Sequence, residues 1–155
     1  MNKENYLSFG KCNPTKIVDR VAAEVAMPLY SKFELEIKEN HRIDKHSFDS
    51  PTVYSKIKPL SGGLSIINLT LLAGSPLINF NGFLVGADKF SHIFNEGHLN
   101  FKLIHTRNWT VDETIQRGVI NELGLWGFLV TSVYSYSDIY ANHLGLLFFE
   151  DLVFN

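Results

Sequence analysis

Residues 135–153 read SYSDIYANHLGLLFFEDLV, and this stretch decides the fold. The spacing predicts a final helix from Asp138 to about residue 153, apolar except at a few positions. Asp138 and Asn142 lie one turn apart, on a face that they share with Gly145. Ser135 and Asp138 equally suit a capping box, which explains both residues without a site. An asparagine in the middle of a helix has poor propensity and needs a hydrogen-bond partner when it is buried. A second polar element is therefore expected to pack against this helix.

The stretch 87–104, ADKFSHIFNEGHLNFKLI, carries matching polar residues on a second predicted helix. Asp88 and His92 are four residues apart, so their side chains can touch and the carboxylate can orient the imidazole. Two plainer explanations stay open, because Asp88 also suits the first turn of a helix and a core histidine often bonds a carbonyl. Lys89 is expected to be solvated. The apolar face is formed by Phe90, Ile93, Phe94, Gly97, Phe101 and Ile104.

Glu122 lies in a third predicted helix, from 111 to about 131, which the capping box of Thr110 and Glu113 opens. The period places Glu122 within about 40° of a core stripe, with Gly118 beside it. A buried glutamate has either a raised pKa or a cationic partner, and His92 is the first candidate partner, with Lys89 or Arg117 behind it. The stripe consists of Ile115, Val119 and Trp126.

Metal chemistry has a weaker basis in the sequence. Asp88, His92 and Glu96 follow a spacing of four that suits a metal site, but this spacing is common by chance. Cys12 is the only cysteine, so no internal disulfide and no cysteine-based metal site can form. We therefore predict neither a metal nor a cofactor.

The rest of the chain completes a mostly α fold, a compact bundle of about five helices in one domain, 1–155. Asn13 and Pro14 open the first helix. Residues 32–38 alternate charged and apolar side chains, which is typical of a strand, with a helix as the close alternative. A long irregular segment, 39–62, with one helical turn after Pro51, leads to an apolar helix at 64–72 and a turn at 79–82. There is room for one short strand or hairpin.

Composition argues against nucleic acid as a partner and against a membrane-spanning segment. The chain has 14 Lys+Arg against 16 Asp+Glu and no basic stripe, so nucleic acid is not expected as a partner. Residues 59–87 contain no charged side chain. Glycine, proline and asparagine interrupt this run, so it is read as a buried helix and a turn rather than a membrane span. The first residues lead into no apolar run of signal-peptide length.

Taken in order, the polar residues resemble the sparse signature of VanZ-like proteins and of the small YfiM-like envelope lipoproteins. The resemblance covers residues 86–146, about two fifths of the chain. It implies a helical protein of the bacterial envelope and a shared polar site, without implying a reaction. VanZ-like proteins have membrane-spanning helices, whereas this chain has no clean span. The positions are Asp88, Lys89, His92, Glu122, Ser135, Asp138, Asn142 and Gly145.

Two hypotheses about function follow. In the first, preferred one, the protein is a non-enzymatic helical module of the envelope or a secreted one, rather than a cytoplasmic protein. Its polar cluster fixes the helices, and its partner is a membrane surface or a protein. In the second, the protein is hydrolase-like or binds a small-molecule ligand. His92 and Glu122 then act as acid and base, Asp88 orients the histidine, and the ligand-binding residues are Ser135, Asp138 and Asn142.

Overall fold

The computed structural model describes residues 13–27, 31–46, 75–124 and 134–155. Helices dominate these ranges, which confirms the mostly α prediction, and a small antiparallel sheet accompanies them. The helix predicted from 111 to about 131 ends at Leu123, because Gly124 closes it with a turn. The predicted helices and turns at 47–74 and 125–133 lie outside the described residues. The elements are α1 (Pro14–Val25), α2 (Lys32–Glu39), β1 (Lys45–His46), β2 (Leu77–Phe80), β3 (Phe83–Gly86), α3 (88–107), α4 (Val111–Leu123) and α5 (Tyr136–Phe154).

Local capping signals fix where the helices begin. The Asn13 side chain accepts a hydrogen bond from the backbone N–H of Lys16, at the start of α1. Thr110 and Glu113 form both bonds of the predicted capping box at the start of α4. At α5, the Ser135 hydroxyl accepts from the backbone N–H of Asp138, so the helix begins at Tyr136, two residues before the predicted start.

The strand predicted at 32–38 is wrong, because these residues form α2. Ser31 caps the helix by accepting a hydrogen bond from the backbone N–H of Glu34 at 3.0 Å. Glu34 and Ile37 are buried three residues apart, which is helical spacing, and Glu34 pairs with Lys38 one turn later at 2.8 Å. The alternation of charged and apolar residues therefore does not produce a strand here, because the buried residues follow the helical period.

Glu34 joins α2 to its neighbours through a buried polar network. Its carboxylate accepts hydrogen bonds from the hydroxyls of Ser75 and Ser91 and pairs with Lys38. Burial by itself would raise the pKa of Glu34, but the bonds from Lys38, Ser75 and Ser91 outweigh it and hold the pKa below its usual value. Ser91 on α3 therefore faces α2.

Glu34→Gln is expected to lower the free energy of unfolding near neutral pH by about 2 kcal/mol, because it removes a buried charge from its three partners. A depressed carboxylate pKa contributes stability above the unfolded value of 4.5 and loses it as pH falls through the folded value. The loss should therefore shrink in acid. Urea unfolding at about pH 7 and about pH 4 measures it. The exposed Glu39→Gln is the control on the same helix, and an equal loss in both variants would contradict the account.

The three strands form a sheet in the order β1–β2–β3, with antiparallel neighbours. Asn81 and Gly82 connect β2 to β3 with positive φ values of 51° and 88°, so the turn predicted at 79–82 is confirmed. β1 is only two residues long and pairs with Leu77 and Ile78. The end of the hairpin therefore projects beyond the third strand.

The main hydrophobic core lies where α1, α3 and α5 meet. Its fully buried side chains come from all three helices: Val18 and Ala22 from α1, Phe101 from α3, and Leu146 and Phe149 from α5. This core fixes α3 against α5 along the C-terminal part of both helices. No helix within the described ranges combines the length and apolarity that crossing a bilayer requires.

α3 and α5 approach backbone to backbone at two glycines. A Cβ atom added to Gly145 would overlap the carbonyl of Ile93, and one added to Gly97 would overlap the Gly145 backbone. α3 contains one π-helical turn at this crossing, His92–Glu96, between the α-helical parts Asp88–Ser91 and Gly97–Arg107. Such turns insert one residue into a helix and often accompany functional sites. Gly145 in the polar signature thus has a packing role.

Candidate functional site

The structure brings the predicted polar residues of three helices together. The N-terminal part of α3 contributes Asp88, Lys89 and His92, while α5 contributes Asp138 and Asn142. α4 contributes Glu122, which reaches Ser135, the N-terminal cap of α5. We call these seven residues the polar cluster. Glu122 and Asn142 are 5% and 6% exposed, so both lie away from bulk solvent, as expected.

Lys89 is the internal cation of the polar cluster, and the expectation that it is solvated is wrong. Its ammonium contacts Asp88 at 2.7 Å and also contacts a carboxylate oxygen of Asp138. Burial by itself would lower the pKa of Lys89, but Asp88 and Asp138 together outweigh it and raise the pKa above its usual value. One cation therefore joins two carboxylates that lie on different helices.

His92 connects the same two helices through both ring nitrogens. Nδ1 lies 2.9 Å from the amide oxygen of Asn142, and Nε2 lies 3.4 Å from a carboxylate oxygen of Asp138. This contact lets Asn142 fix the orientation of the imidazole. This contact is the partner that a buried mid-helix asparagine requires.

Glu122 has a raised pKa, which is one of the two outcomes expected from its burial. Burial is the first cause and the nearby charge of Asp138 is the second, while the charges of His92 and Lys89 oppose them. Its hydrogen bond comes from the backbone N–H of Ser135, at 3.3 Å. His92, the expected partner, thus acts on Glu122 only through its charge. The direct contact of Glu122 is the backbone N–H of Ser135, which the sequence analysis did not predict.

The buried face of α4 differs from the predicted stripe. Thr114, Gly118 and Glu122 are the buried positions, whereas Ile115 is 37% exposed. Trp126 lies outside the described residues. A Cβ added to Gly118 would lie 3.4 Å from the Asn142 amide nitrogen, which is ordinary contact. A small recess lies beside Gly118 and Asn142. Its other lining residues are Asn100, Thr114, Ile115, Ile139 and His143.

The donor set that suits a metal is not the one that the sequence spacing indicates. Glu96 turns away from the cluster and pairs with Arg117 at 2.9 Å. Asp88, His92 and Asp138 instead offer ligand atoms that all lie within 4.8 Å of one another. Lys89, however, already supplies a positive charge to both carboxylates, so a divalent ion has to displace its ammonium. The residues fit an ion-paired cluster better than a metal centre.

No protein-family model, no curated protein and no solved structure matches this chain.

Proposed function

We propose that this chain is a helical protein of the bacterial envelope, or a secreted one, in which the polar cluster holds α3, α4 and α5 in register. The order of polar residues from Asp88 to Gly145, which resembles the VanZ-like signature, supports the envelope setting. The geometry of the cluster supports the structural role. The protein then acts through a surface that binds a membrane or another protein, while the cluster maintains the shape of that surface.

One observation carries this proposal: the contacts of the polar cluster cross from helix to helix. Lys89 on α3 binds Asp138 on α5, and His92 on α3 contacts Asn142 on α5. Glu122 on α4 accepts from the backbone at the start of α5. Polar groups that satisfy one another across helices fix one relative position of those helices, because any slip leaves a buried group without a partner.

Asn142→Ala and Glu122→Ala test the structural role. Each is expected to lower the free energy of unfolding by about 2 kcal/mol, because each leaves the N–H group of a neighbour without its acceptor. Gln116→Ala, at an exposed position of α4, is the control and is expected to change stability by less than about 0.5 kcal/mol. Urea unfolding followed by circular dichroism measures all three. Losses below about 0.5 kcal/mol in both cluster variants would refute the structural role.

Glu122→Gln separates the charge of Glu122 from its hydrogen bond. Glutamine keeps an acceptor for the Ser135 N–H, so stability near neutral pH is expected to equal or exceed that of the wild type. The sign follows from the raised pKa: the folded protein holds the proton more tightly than the unfolded chain. Wild-type stability therefore rises as pH falls through the folded value toward 4.5, and the advantage of the variant should disappear over that window. A constant difference across this window would contradict the raised pKa.

A second candidate function is acid–base chemistry on a bound ligand by His92 and Glu122. The observations that favour it are the raised pKa of Glu122 and the solvent access of His92 and Asp88, whose side chains are 23% and 35% exposed. The carboxylate that faces His92 is Asp138, at Nε2, and not Asp88 as predicted, while Asn142 faces Nδ1. This candidate gains support if Glu122→Gln folds normally and at the same time loses binding of a ligand or turnover that the wild type shows.

A further inference from the structure

The end of the β2–β3 hairpin exposes large apolar side chains to solvent. We define the hairpin tip as residues 80–84, which read FNGFL. Phe80, Phe83 and Leu84 are 60%, 73% and 58% exposed. Phe83 is thus among the most exposed large apolar residues in the described part of the chain. The proposed role of the polar cluster leaves this feature unexplained.

The hairpin tip is a defined structure and not an irregular loop. Asn81 and Gly82 adopt the left-handed conformations that a two-residue hairpin turn needs. The Asn79 side chain accepts a hydrogen bond from the backbone N–H of Gly82 at 2.8 Å. Because β1 pairs only with Leu77 and Ile78, no third strand within the described residues covers the positions beyond them. The apolar side chains are therefore presented on a pre-formed projection.

Each face of the hairpin tip carries an exposed apolar side chain, with Asn79 as the polar neighbour of Leu84 on the second face. Phe80 and Phe83 are paired across the two strands, so their side chains share one face, whereas Leu84 pairs with Asn79 and points to the other. A partner that packs on one face of a sheet leaves the opposite face in water. A medium that surrounds the tip removes all three apolar side chains from water at once.

The lack of charged side chains around the hairpin tip favours a lipid medium. Residues 59–87 contain no charged side chain, and the first charged residue after the tip is Asp88. A projection without charge matches the uncharged boundary between head groups and acyl chains, where phenylalanine and leucine are the usual inserted residues.

We propose that the hairpin tip inserts into the boundary region of a lipid bilayer and anchors this protein to the membrane surface. The inference rests on the proposed envelope setting and supplies its point of contact. It does not depend on the role of the polar cluster. The ligand is the bilayer itself, held by apolar insertion and not by attraction to anionic head groups.

Co-sedimentation with vesicles of pure, zwitterionic phosphatidylcholine tests the proposal. The full chain is expected to bind, and the double variant Phe80→Ser with Phe83→Ser is expected to bind at least about tenfold more weakly, because two large side chains no longer leave water. The matched control replaces two exposed apolar residues of α4, Ile120→Ser with Leu123→Ser, and should bind like the wild type. Since all four positions are exposed, urea unfolding should show every variant folded.

Any other outcome would refute the proposal that the hairpin tip anchors the protein to a membrane. Equal binding by the wild type and the tip variant, or equal weakening by the tip and α4 variants, would assign membrane contact to a different or unspecific surface. Absence of wild-type binding, or binding only to anionic vesicles, would also refute it. Sedimentation equilibrium tests whether a second copy of this chain packs on the hairpin tip instead. A wild-type dimer that the tip substitutions dissociate, without any vesicle binding, would show that the tip binds another copy and not a bilayer. None of these results changes the stability tests of the polar cluster, so the two proposals fail separately.

Discussion

Gly145→Ala is expected to lower the free energy of unfolding by about 3 kcal/mol, the upper range for overpacking a tight core. The added Cβ would overlap the carbonyl of Ile93 and lie 2.8 Å from the Cα of Gly97, both of which are backbone atoms. Backbone atoms cannot rotate away as a side chain can, so α3 and α5 must separate. That separation would disturb the core and the polar cluster together, because the crossing lies between them.

Gly118→Ala is the matched control for this prediction. Gly118 is also a buried helical glycine, but its nearest atom is the Asn142 amide nitrogen, 3.4 Å from an added Cβ. Alanine has a higher helix propensity than glycine, so this variant is expected to be as stable as the wild type or up to about 1 kcal/mol more stable. Urea unfolding of both variants gives the comparison. Similar stabilities for Gly145→Ala and Gly118→Ala would refute the backbone contact at the helix crossing.

Lys89→Met is expected to lower the free energy of unfolding near neutral pH by about 3 kcal/mol, because it leaves two carboxylates without their cation. Asp88 and Asp138 then repel each other, and Asp138 is largely buried. Methionine fills a similar volume, so the loss reports the charge rather than a cavity. Protonation of the carboxylates should recover part of the stability in acid.

Lys102→Met, on the same helix, is the control for Lys89→Met. Lys102 pairs with Asp19 at 3.2 Å, but both side chains are 42% exposed, and ion pairs of this kind contribute less than about 1 kcal/mol. Thermal and urea unfolding at about pH 7 measure the two losses side by side. If Lys89→Met lowers the free energy of unfolding no more than Lys102→Met does, Lys89 behaves as a surface charge. The proposal that it holds the polar cluster together would then be wrong.

Short-range signals in the sequence were sufficient for most helix starts. Asn13, Thr110 and Ser135 are capping residues that act within one helical turn, so their effect depends little on distant contacts. The strand predicted at 32–38 failed for the opposite reason. Glu34 is stabilised by Ser75 and Ser91, 41 and 57 residues away, and no local pattern reveals that a charged residue will be the buried one.

The meeting of Asp88, His92, Asp138 and Asn142 was predictable, because buried polar residues at helical spacing need partners. Lys89 was considered only as a solvated residue or as a second candidate partner of Glu122, whereas it pairs with Asp88 and Asp138. The π-helical turn at His92–Glu96 lies at the crossing that Gly97 and Gly145 form between two helices, and such a contact is absent from any single segment. The chemical roles assigned to His92, Glu122 and the ligand-binding residues stay predictions.

The most direct test of the polar cluster as a shared network is a double-mutant cycle on Lys89 and Asp138. The variants are Lys89→Met, Asp138→Asn and the pair together, with the free energy of unfolding measured for each at about pH 7. The account predicts that the double variant is more stable than the sum of the single losses implies, by about 2 kcal/mol, because neither charge is then left alone across the α3–α5 boundary. Single losses that add to within about 0.5 kcal/mol would show that the two residues act independently, and would contradict it.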